Sequence, residues 1–276
     1  MFNKIIKTLT IASIILVSFG FIACQKESKE RIVIKGSSTV LPITQKVSEA
    51  YRAKYKTSIT IEGSGSGNGI KSLLDSTCDI ANSSREMRGT ELQSASEKGL
   101  KIREIVVAYD MIVPIVNPAN PIKDLTTAQL QAIYDGSITN WKDVGGRDGR
   151  IVVLSRDTSS GTYEIWSEKI MNKKDVRRDA LLQASSGSII STIANNPLAI
   201  GYVGFGYINS SVKALWVDNI EPTLEHGKSG KFPISRQLYK YVDENRMSAE
   251  TKRFIDFLLG AEGQKLVKEA GFIPLL

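Results

Sequence analysis

Short apolar runs alternate with amphipathic patterns along nearly all of the chain after residue 30. Runs rich in Val and Ile predict strands, and apolar residues that recur once per helical turn predict helices. The predicted strands are residues 31–35, 58–62, 79–82, 101–107, 111–116, 151–155, 200–203, 212–217 and 238–242. The predicted helices are residues 42–55, 69–75, 90–98, 126–134, 160–171, 188–195, 249–259 and 262–270. This alternation is typical of an α/β fold.

Two predicted strands are separated only by the segment Ala108-Tyr109-Asp110. A long strand broken at this segment would carry the chain from one domain into another, and the strand at 200–203 could bring it back. We therefore expect two lobes, each a mixed sheet flanked by helices, joined by two crossing strands. The first lobe would contain residues 31–108 and 204–276, and the second would contain residues 109–203.

The first 24 residues have the pattern of an export signal. Lys4 and Lys7 provide a positive start, and an uncharged stretch at 9–23 leads to Cys24. This layout is typical of a secretory signal whose apolar part is short for a membrane span. We expect a signal peptide over residues 1–23.

The segment that ends at Cys24 resembles a bacterial lipobox, although Phe21 stands where Leu is usual. The resemblance implies that Cys24 is lipidated and that residues 24–30 form a tether. An uncleaved N-terminal anchor is the alternative. In both cases the folded part would be exported and held on the periplasmic or cell-surface side of a bacterial membrane.

The net charge and the numbers of cysteine and histidine residues exclude several classes of function. Removal of the leader takes away two lysines and no acids, so the net charge falls from +7 to +5. This mild basicity suits an anionic ligand, and it lacks the basic runs with interleaved aromatics that indicate nucleic-acid binding. With Cys24 lipidated, Cys78 has no second thiol to pair with. The single histidine, His226, argues against a zinc site or a Ser-His-Asp triad. We expect a monomer with no metal or cofactor, and His226 in a solvated loop.

Three segments rich in Gly, Ser and Thr each lie between a predicted strand and a predicted helix. They are residues 36–42, 63–69 and 156–162. Helix N-termini offer unpaired N–H groups and a partial positive charge, so they hold anions well. Each segment alone could be a helix cap, and 63–69 could be a linker. Three together favour an anion site, and none has the P-loop spacing, which disfavours NTP hydrolysis.

Two arginines stand beside these segments at strand ends. Arg156 follows the strand at 151–155, and Arg85 follows Asn82-Ser83-Ser84. An arginine in this position can contact an oxyanion through two N–H groups. The alternative for each is an exposed salt bridge.

Several motifs resemble, in the same order, the phosphate-binding proteins of Pst-type ABC importers. The motifs are residues 35–42, 63–67, 79–85, 156–162, 200–204 and 235–239, and the resemblance extends from Ile32 to about Ile273. It implies a type II periplasmic-binding-protein fold that closes on phosphate between two lobes. The residues that we expect to bind phosphate are Ser38, Thr39, Val40, Ser66, Ser84, Arg85, Asp110, Arg156, Ser160, Gly161 and Thr162.

One position departs from the best-known pattern of that family. Ser84 stands where some members have an Asp that accepts the proton of hydrogen phosphate. A site made only of donors would hold sulfate as readily, because discrimination needs an acceptor. We expect Asp110 to be that acceptor, with a hinge Asp that caps a turn as the alternative.

The expected function is an extracytoplasmic receptor that delivers phosphate to the membrane permease of an ABC importer. A receptor for sulfate, molybdate or tungstate is the first alternative, because of Ser84. A phosphate-ester hydrolase or a surface adhesin on the same scaffold is the second. Against a hydrolase, the strings around Ser64 and Ser66 match a nucleophile elbow only within a glycine-rich loop.

Overall fold

Eleven strands and nine α-helices alternate along residues 31–276, the part of the chain that the computed structural model describes. The expected signal peptide, tether and Cys24 lie outside these residues. The strands are β1 (Arg31–Gly36), β2 (Ser58–Glu62), β3 (Ile80–Ser83), β4 (Ile102–Val116), β5 (Asp124–Leu125), β6 (Val152–Arg156), β7 (Leu181–Gln183), β8 (Ala199–Gly204), β9 (Lys213–Ala214), β10 (Trp216–Val217) and β11 (Ser235–Asp243). The helices are α1 (Leu41–Tyr55), α2 (Ser66–Leu74), α3 (Gly89–Glu97), α4 (Thr127–Asp135), α5 (Gly161–Lys169), α6 (Ser186–Ala194), α7 (Leu224–Lys228), α8 (Ala249–Leu259) and α9 (Ala261–Glu269).

Nine of the strands form one mixed sheet in the order β2-β1-β3-β11-β4-β8-β6-β7, with β9 paired to β4. Strands β2, β1 and β3 are parallel, as are β8, β6 and β7. The central strands β11 and β4 are antiparallel to each other and to their outer neighbours. Parallel strands need crossover connections, and the helices supply them. The mixed α/β architecture expected from the sequence is confirmed.

The central strand β4 belongs to both halves of the sheet. Its first part, up to Met111, pairs with β11, and its second part, from Ile112, pairs with β8. The strand is continuous, and a register shift opposite Leu238 and Tyr239 takes the place of the expected break. One strand thus passes directly from one half to the other.

The buried side chains of β4 belong to two different hydrophobic cores, and the change from one core to the other lies near the middle of the strand. Val107 and Ala108 pack in a core with α1, α8 and α9, whereas the residues from Met111 onward pack in a core with α4, α5, α6 and β8. Residues 212–234 contribute Val212, Phe232 and Ile234 to this second core. The lobe limits predicted from the sequence stay a prediction. This packing supports a return of the chain to the first lobe in β11, which would assign residues 205–234 to the second lobe.

Several local features differ from the sequence predictions or were absent from them. Helix α2 begins at Ser66, within the Gly-Ser segment, because Gly65 adopts a positive φ of 102° and turns the chain into the helix. The strand expected over 212–217 is two short strands, β9 and β10. The edge strand β7 carries too few residues to give a periodic pattern. His226 lies in the short helix α7, where its Nδ1 is 2.8 Å from the carbonyl oxygen of Glu221.

Within residues 31–276, no helix has the length and apolarity that a membrane span requires. In the same part of the chain, no cluster of His, Cys, Asp and Glu side chains could hold a metal ion.

Candidate anion-binding site

The three Gly-, Ser- and Thr-rich loops meet at one place, between the two halves of the sheet. The Oγ1 atoms of Thr39 and Thr162 are 2.8 Å apart, although the two residues lie before and within helices of different halves. The Oγ atom of Ser84 is 3.5 Å from Thr162 Oγ1 and 3.2 Å from Ser66 Oγ. All four hydroxyl-bearing residues are at most 1% exposed. The result is a buried cluster of hydroxyl groups to which both halves contribute.

The hydroxyl groups stand at helix N-termini because each loop runs directly into a helix. Val40 caps α1 with Pro42 in its first turn, and Gly65 precedes α2. Ser160 caps α5 by accepting a hydrogen bond from the N–H of Tyr163 at 3.3 Å. The first N–H groups of a helix have no carbonyl partner within it, so three helix N-termini bring backbone donors to this region. Some of these donors are already paired, since the N–H of Gly67 in α2 donates to the Ser159 carbonyl oxygen of the other half at 2.9 Å.

Gly161 allows the two halves to approach this closely. A Cβ atom at this position would lie 2.6 Å from Ser66 Oγ and 2.9 Å from Ser84 Oγ. Its backbone therefore packs directly on the hydroxyl groups of the other half. A side chain there would force these groups apart.

Arg156 ends β6 directly before the third loop, and it is 1% exposed. Its Nε and Nη2 donate to the carbonyl oxygens of Gln183 and Ala184 at 2.9 and 3.0 Å, and its Nη1 donates to Ser186 Oγ at 3.3 Å. Burial lowers the pKa of this guanidinium. Asp157 is the nearest carboxylate, 3.9 Å away, so most of the buried positive charge is left without a protein counter-charge.

Tyr202 holds the backbone of Arg156 in place. Its hydroxyl accepts from the N–H of Arg156 at 3.2 Å and lies 2.8 Å from Ser155 Oγ. Its ring stacks on Trp166 with centroids 4.1 Å apart. The motif at 200–204 thus contributes Tyr202, which fixes the backbone that carries Arg156.

A fourth helix N-terminus, that of α6, joins the site and was missed by the sequence reasoning. The N–H of Ser186 donates to Ser38 Oγ at 3.3 Å, and the hydroxyl of Tyr207 donates to the Ser38 carbonyl at 2.5 Å. The segment before α6 has Ser residues but no strand long enough to mark it as a fourth strand-turn-helix unit. Ser38 therefore links the first loop to two segments of the second core.

Asp110 is connected to the cluster through Arg236, and both of its carboxylate oxygens accept hydrogen bonds. Its Oδ2 accepts from Nε and Nη2 of Arg236 at 3.0 and 2.8 Å, and its Oδ1 accepts from the N–H of Phe205 at 2.9 Å. Burial raises the pKa of Asp110, while the ion pair and the amide bond act in the opposite direction. The Cβ position of Gly204 lies only 2.8 Å from Asp110 Oδ2, so no side chain would fit beside this pair.

Arg236 connects that ion pair to the hydroxyl cluster. Its Nη1 donates to Thr162 Oγ1 at 2.9 Å and to the carbonyl oxygen of Ser84 at 3.3 Å. The motif at 235–239 entered the prediction only as part of the family resemblance, and Arg236 was not among the residues expected to bind phosphate. The feature of the sequence that could have indicated a role for Arg236 is its position next to a serine at the start of a long strand.

Arg85 has partners other than the hydroxyl cluster. Its Nη1 and Nη2 form a bidentate pair with Glu91 at 2.7 and 2.8 Å, and its Nε donates to Glu164 at 2.8 Å. Arg88 also contacts Glu164, at 2.8 Å. Glu164 belongs to α5, whereas both arginines follow β3, so these bonds join the two halves of the molecule. The expected ligand contact of Arg85 stays a prediction, and its hydrogen bonds support an interlobe role.

The sequence matches the PBP superfamily domain over residues 23–262. It is 34% identical over 265 residues to the phosphate-binding protein PstS of Borreliella burgdorferi, covering 91% of this chain and 93% of that protein. The fold is similar to a Clostridium perfringens protein described as a phosphate ABC transporter substrate-binding protein with bound phosphate. That likeness has a TM-score of 0.85 and 35% identity, covering 90% of this chain and 100% of that one. An ABC-type phosphate transport receptor from Vibrio cholerae matches with a TM-score of 0.72 and 33% identity, over 88% of this chain and 99% of that one.

Proposed function

Because the chain belongs to the PBP superfamily, among the phosphate-binding receptors of Pst-type ABC transporters, we propose that it binds inorganic phosphate between its two lobes. It then delivers the phosphate to the permease of an ABC importer. The fold is the type II fold of periplasmic-binding proteins. The protein acts as an extracytoplasmic receptor.

The observation that carries this proposal is the buried hydroxyl cluster at the N-termini of helices from both lobes. Thr39, Ser66 and Thr162 supply hydroxyl donors, and the first amides of α1, α2 and α5 supply backbone donors. Arg156 supplies the buried positive charge. A tetrahedral oxyanion can use donors from all of these directions, and a ligand that contacts both lobes favours the closed form.

The contacts support a new role for Asp110, which the sequence suggested as the proton acceptor for hydrogen phosphate. With Arg236 on one oxygen and the Phe205 amide on the other, Asp110 fixes Arg236 toward Thr162. We assign the acceptor role to the hydroxyl groups of Ser66 and Ser84, because a hydroxyl can accept one hydrogen bond while it donates another. Hydrogen phosphate would donate its single proton to one of these two oxygens, whereas sulfate has no proton to donate.

Arg85 stabilises the closed form in this proposal, through its bonds to Glu91 in its own lobe and Glu164 in the other. The permease recognises that closed form. Binding and release, rather than chemistry on the ligand, are the function of the site. Cys24, through its lipid, anchors the receptor to the membrane, and the receptor works as a monomer.

A thermal-shift panel tests the proposed ligand. Protein lacking residues 1–24 is heated with phosphate, arsenate, sulfate or molybdate at equal concentrations. A ligand that binds only the folded state raises the Tm in proportion to the logarithm of its concentration over Kd. We expect a large rise with phosphate, a similar rise with arsenate, and little change with sulfate and molybdate. A rise with sulfate or molybdate that equals or exceeds the rise with phosphate would contradict the proposed selectivity.

A further inference from the structure

Lys240 is buried on β11 beneath the first loop of the anion-binding site. Its side chain is 0% exposed, and its Nζ donates to Asn82 Oδ1 at 2.6 Å and to Thr44 Oγ1 at 3.0 Å. The ring of Phe254 lies on another side of Nζ, with its centroid 5.8 Å away. A lysine is seldom buried this completely unless its charge is paired.

The neighbours of Lys240 connect it to the loop that presents Thr39 and Val40. Thr44, in the first turns of α1, donates its only hydroxyl proton to the Val40 carbonyl at 3.1 Å, so its lone pairs accept from Lys240 and from Asn82 Nδ2. The carbonyl of Asn82 in turn accepts from the N–H of Ser37 at 2.9 Å. The ammonium group is therefore one hydrogen-bonded residue away from both ends of the loop.

Within residues 31–276, no carboxylate forms a salt bridge with Lys240. On β11, Arg236 lies on the same face of the strand as Lys240, and its partner is Asp110. On α8, Glu250 accepts from the Tyr51 hydroxyl of α1 and from Arg253. Lys240 lies opposite Ile105 in the sheet, and the next pair of residues is Tyr241 and Glu104, whose side chains are on the other face. The Tyr241 hydroxyl donates to the Glu104 carboxylate. Arg103 of β4 is exposed at the strand end, and β3 contains no titratable residue.

Two sources of positive charge therefore lie next to the first loop. They are the ammonium group of Lys240 and the partial positive charge at the N-terminus of α1. A bound oxyanion is the negative charge that this region lacks. We propose that Lys240 is a positioning residue of the anion site whose protonation is coupled to ligand binding, so that the receptor takes up a proton on Lys240 when it binds phosphate. This inference rests on the proposed function, and it adds that pH regulates the affinity for phosphate.

The chemistry of the contacts allows this change of charge. A neutral lysine amine keeps two N–H groups, which is the number that Asn82 and Thr44 accept, so the hydrogen bonds survive deprotonation. Burial lowers the pKa of Lys240 to about 7. An anion nearby favours the charged form and raises that pKa, so binding above pH 7 is accompanied by proton uptake.

Isothermal titration calorimetry at pH 8, in buffers of different ionisation enthalpy, counts the protons taken up with phosphate. The wild-type protein without its leader is compared with Lys240→Met, which keeps the length of the side chain, and with Lys252→Met, an exposed control. Protons exchanged by phosphate itself are the same in all three and cancel in the comparison. We expect wild type and Lys252→Met to take up more protons than Lys240→Met. At pH 6.5 we expect Lys240→Met to bind phosphate about tenfold more weakly than wild type.

Equal proton uptake and equal affinity in wild type and Lys240→Met would overturn the inference while leaving phosphate binding intact. Absence of phosphate binding by the wild type would overturn the proposed function, and the inference with it. Circular dichroism melting identifies a misfolded Lys240→Met protein, in which case Lys240→Gln, which can keep the bond to Thr44, takes its place under the same criteria.

Discussion

The Oδ2 atom of Asp110 accepts two hydrogen bonds from Arg236, at 3.0 Å from Nε and 2.8 Å from Nη2. The two residues lie on β4 and β11, opposite each other in the sheet, where the chain passes between the lobes. The remaining Nη1 of Arg236 reaches Thr162, so the ion pair holds a cation against the hydroxyl cluster. A pair of strands that joins the lobes thus also supports the binding site.

Replacement of Asp110 by Asn should therefore affect stability more than selectivity. The guanidinium of Arg236 would stay buried with neutral acceptors but without its counter-charge. Loss of one member of a buried ion pair costs about 3–5 kcal/mol. Urea unfolding measures the change in the free energy of unfolding, and calorimetry measures the affinities for phosphate and sulfate. A variant of normal stability that has gained sulfate binding would instead identify Asp110 as the proton acceptor.

Gly161→Ala should weaken phosphate binding by about 2 kcal/mol, on the order of 30-fold, because the added Cβ meets the hydroxyl of Ser66 at 2.6 Å. Gly187→Ala is the matched control, since it also lies in a helical first turn and its Cβ meets only Ser185 Oγ at 3.8 Å. Calorimetry gives both affinities. Equal affinities in the two variants would mean that the lobes need not approach as closely as they do here in order to bind phosphate.

Glu164→Gln should weaken the interlobe contact with Arg85 and Arg88 while leaving the Arg85–Glu91 pair in place. Because Glu164 is partly exposed, we expect a loss of about 1 kcal/mol, roughly a fivefold faster release of phosphate in stopped-flow measurements. Glu168→Gln, an exposed position on the same helix, is the control. A release rate equal to that of the control would show that the contact does not stabilise the closed form.

The stability of the ligand-free protein should depend on pH through Lys240. Its pKa is lowered from 10.5 to about 7 in the folded state, so between these values the unfolded chain binds the extra proton. Stability contributed by this group therefore rises as pH increases from 7 toward 10, by up to about 4 kcal/mol. Urea unfolding at pH 7 and pH 9.5 should show this rise in wild type and a smaller one in Lys240→Met. Identical pH dependence in the two proteins would mean that the ammonium stays charged.

The sequence predicts most of the regular elements because their periodicity is local. The bounds of β2 and α8 agree with the prediction, and the three loop-helix junctions were found from their Gly, Ser and Thr content. Helix α2 was expected too late because Ser66 and Gly67 have low helix propensity, and burial against the other lobe compensates for it. The interruption expected in β4 was wrong because polar Asp110 is accommodated by pairing rather than by a break.

The partners of the site residues could not be predicted in the same way. Arg85 and Arg236 look alike in the sequence, each preceded by a serine at a strand end. Only the fold decides that Arg85 contacts glutamates of α3 and α5 while Arg236 contacts Asp110, which lies 126 positions away in the chain. Lys240 gave no signal, because its neighbours on the strand are the aromatic and apolar residues of a buried segment.

Arg156 provides the most direct test of the central claim that phosphate binds at the interlobe cluster. Calorimetric titration with phosphate is performed on wild type, on Arg156→Ala, and on Arg150→Ala, an exposed arginine nearby in the chain. We expect one phosphate per molecule in wild type and in Arg150→Ala. Arg156→Ala should lose about 2–5 kcal/mol, on the order of 30- to 5000-fold in Kd, because a buried charge-assisted contact is removed. Normal phosphate binding by Arg156→Ala, or none by the wild type, would contradict the claim.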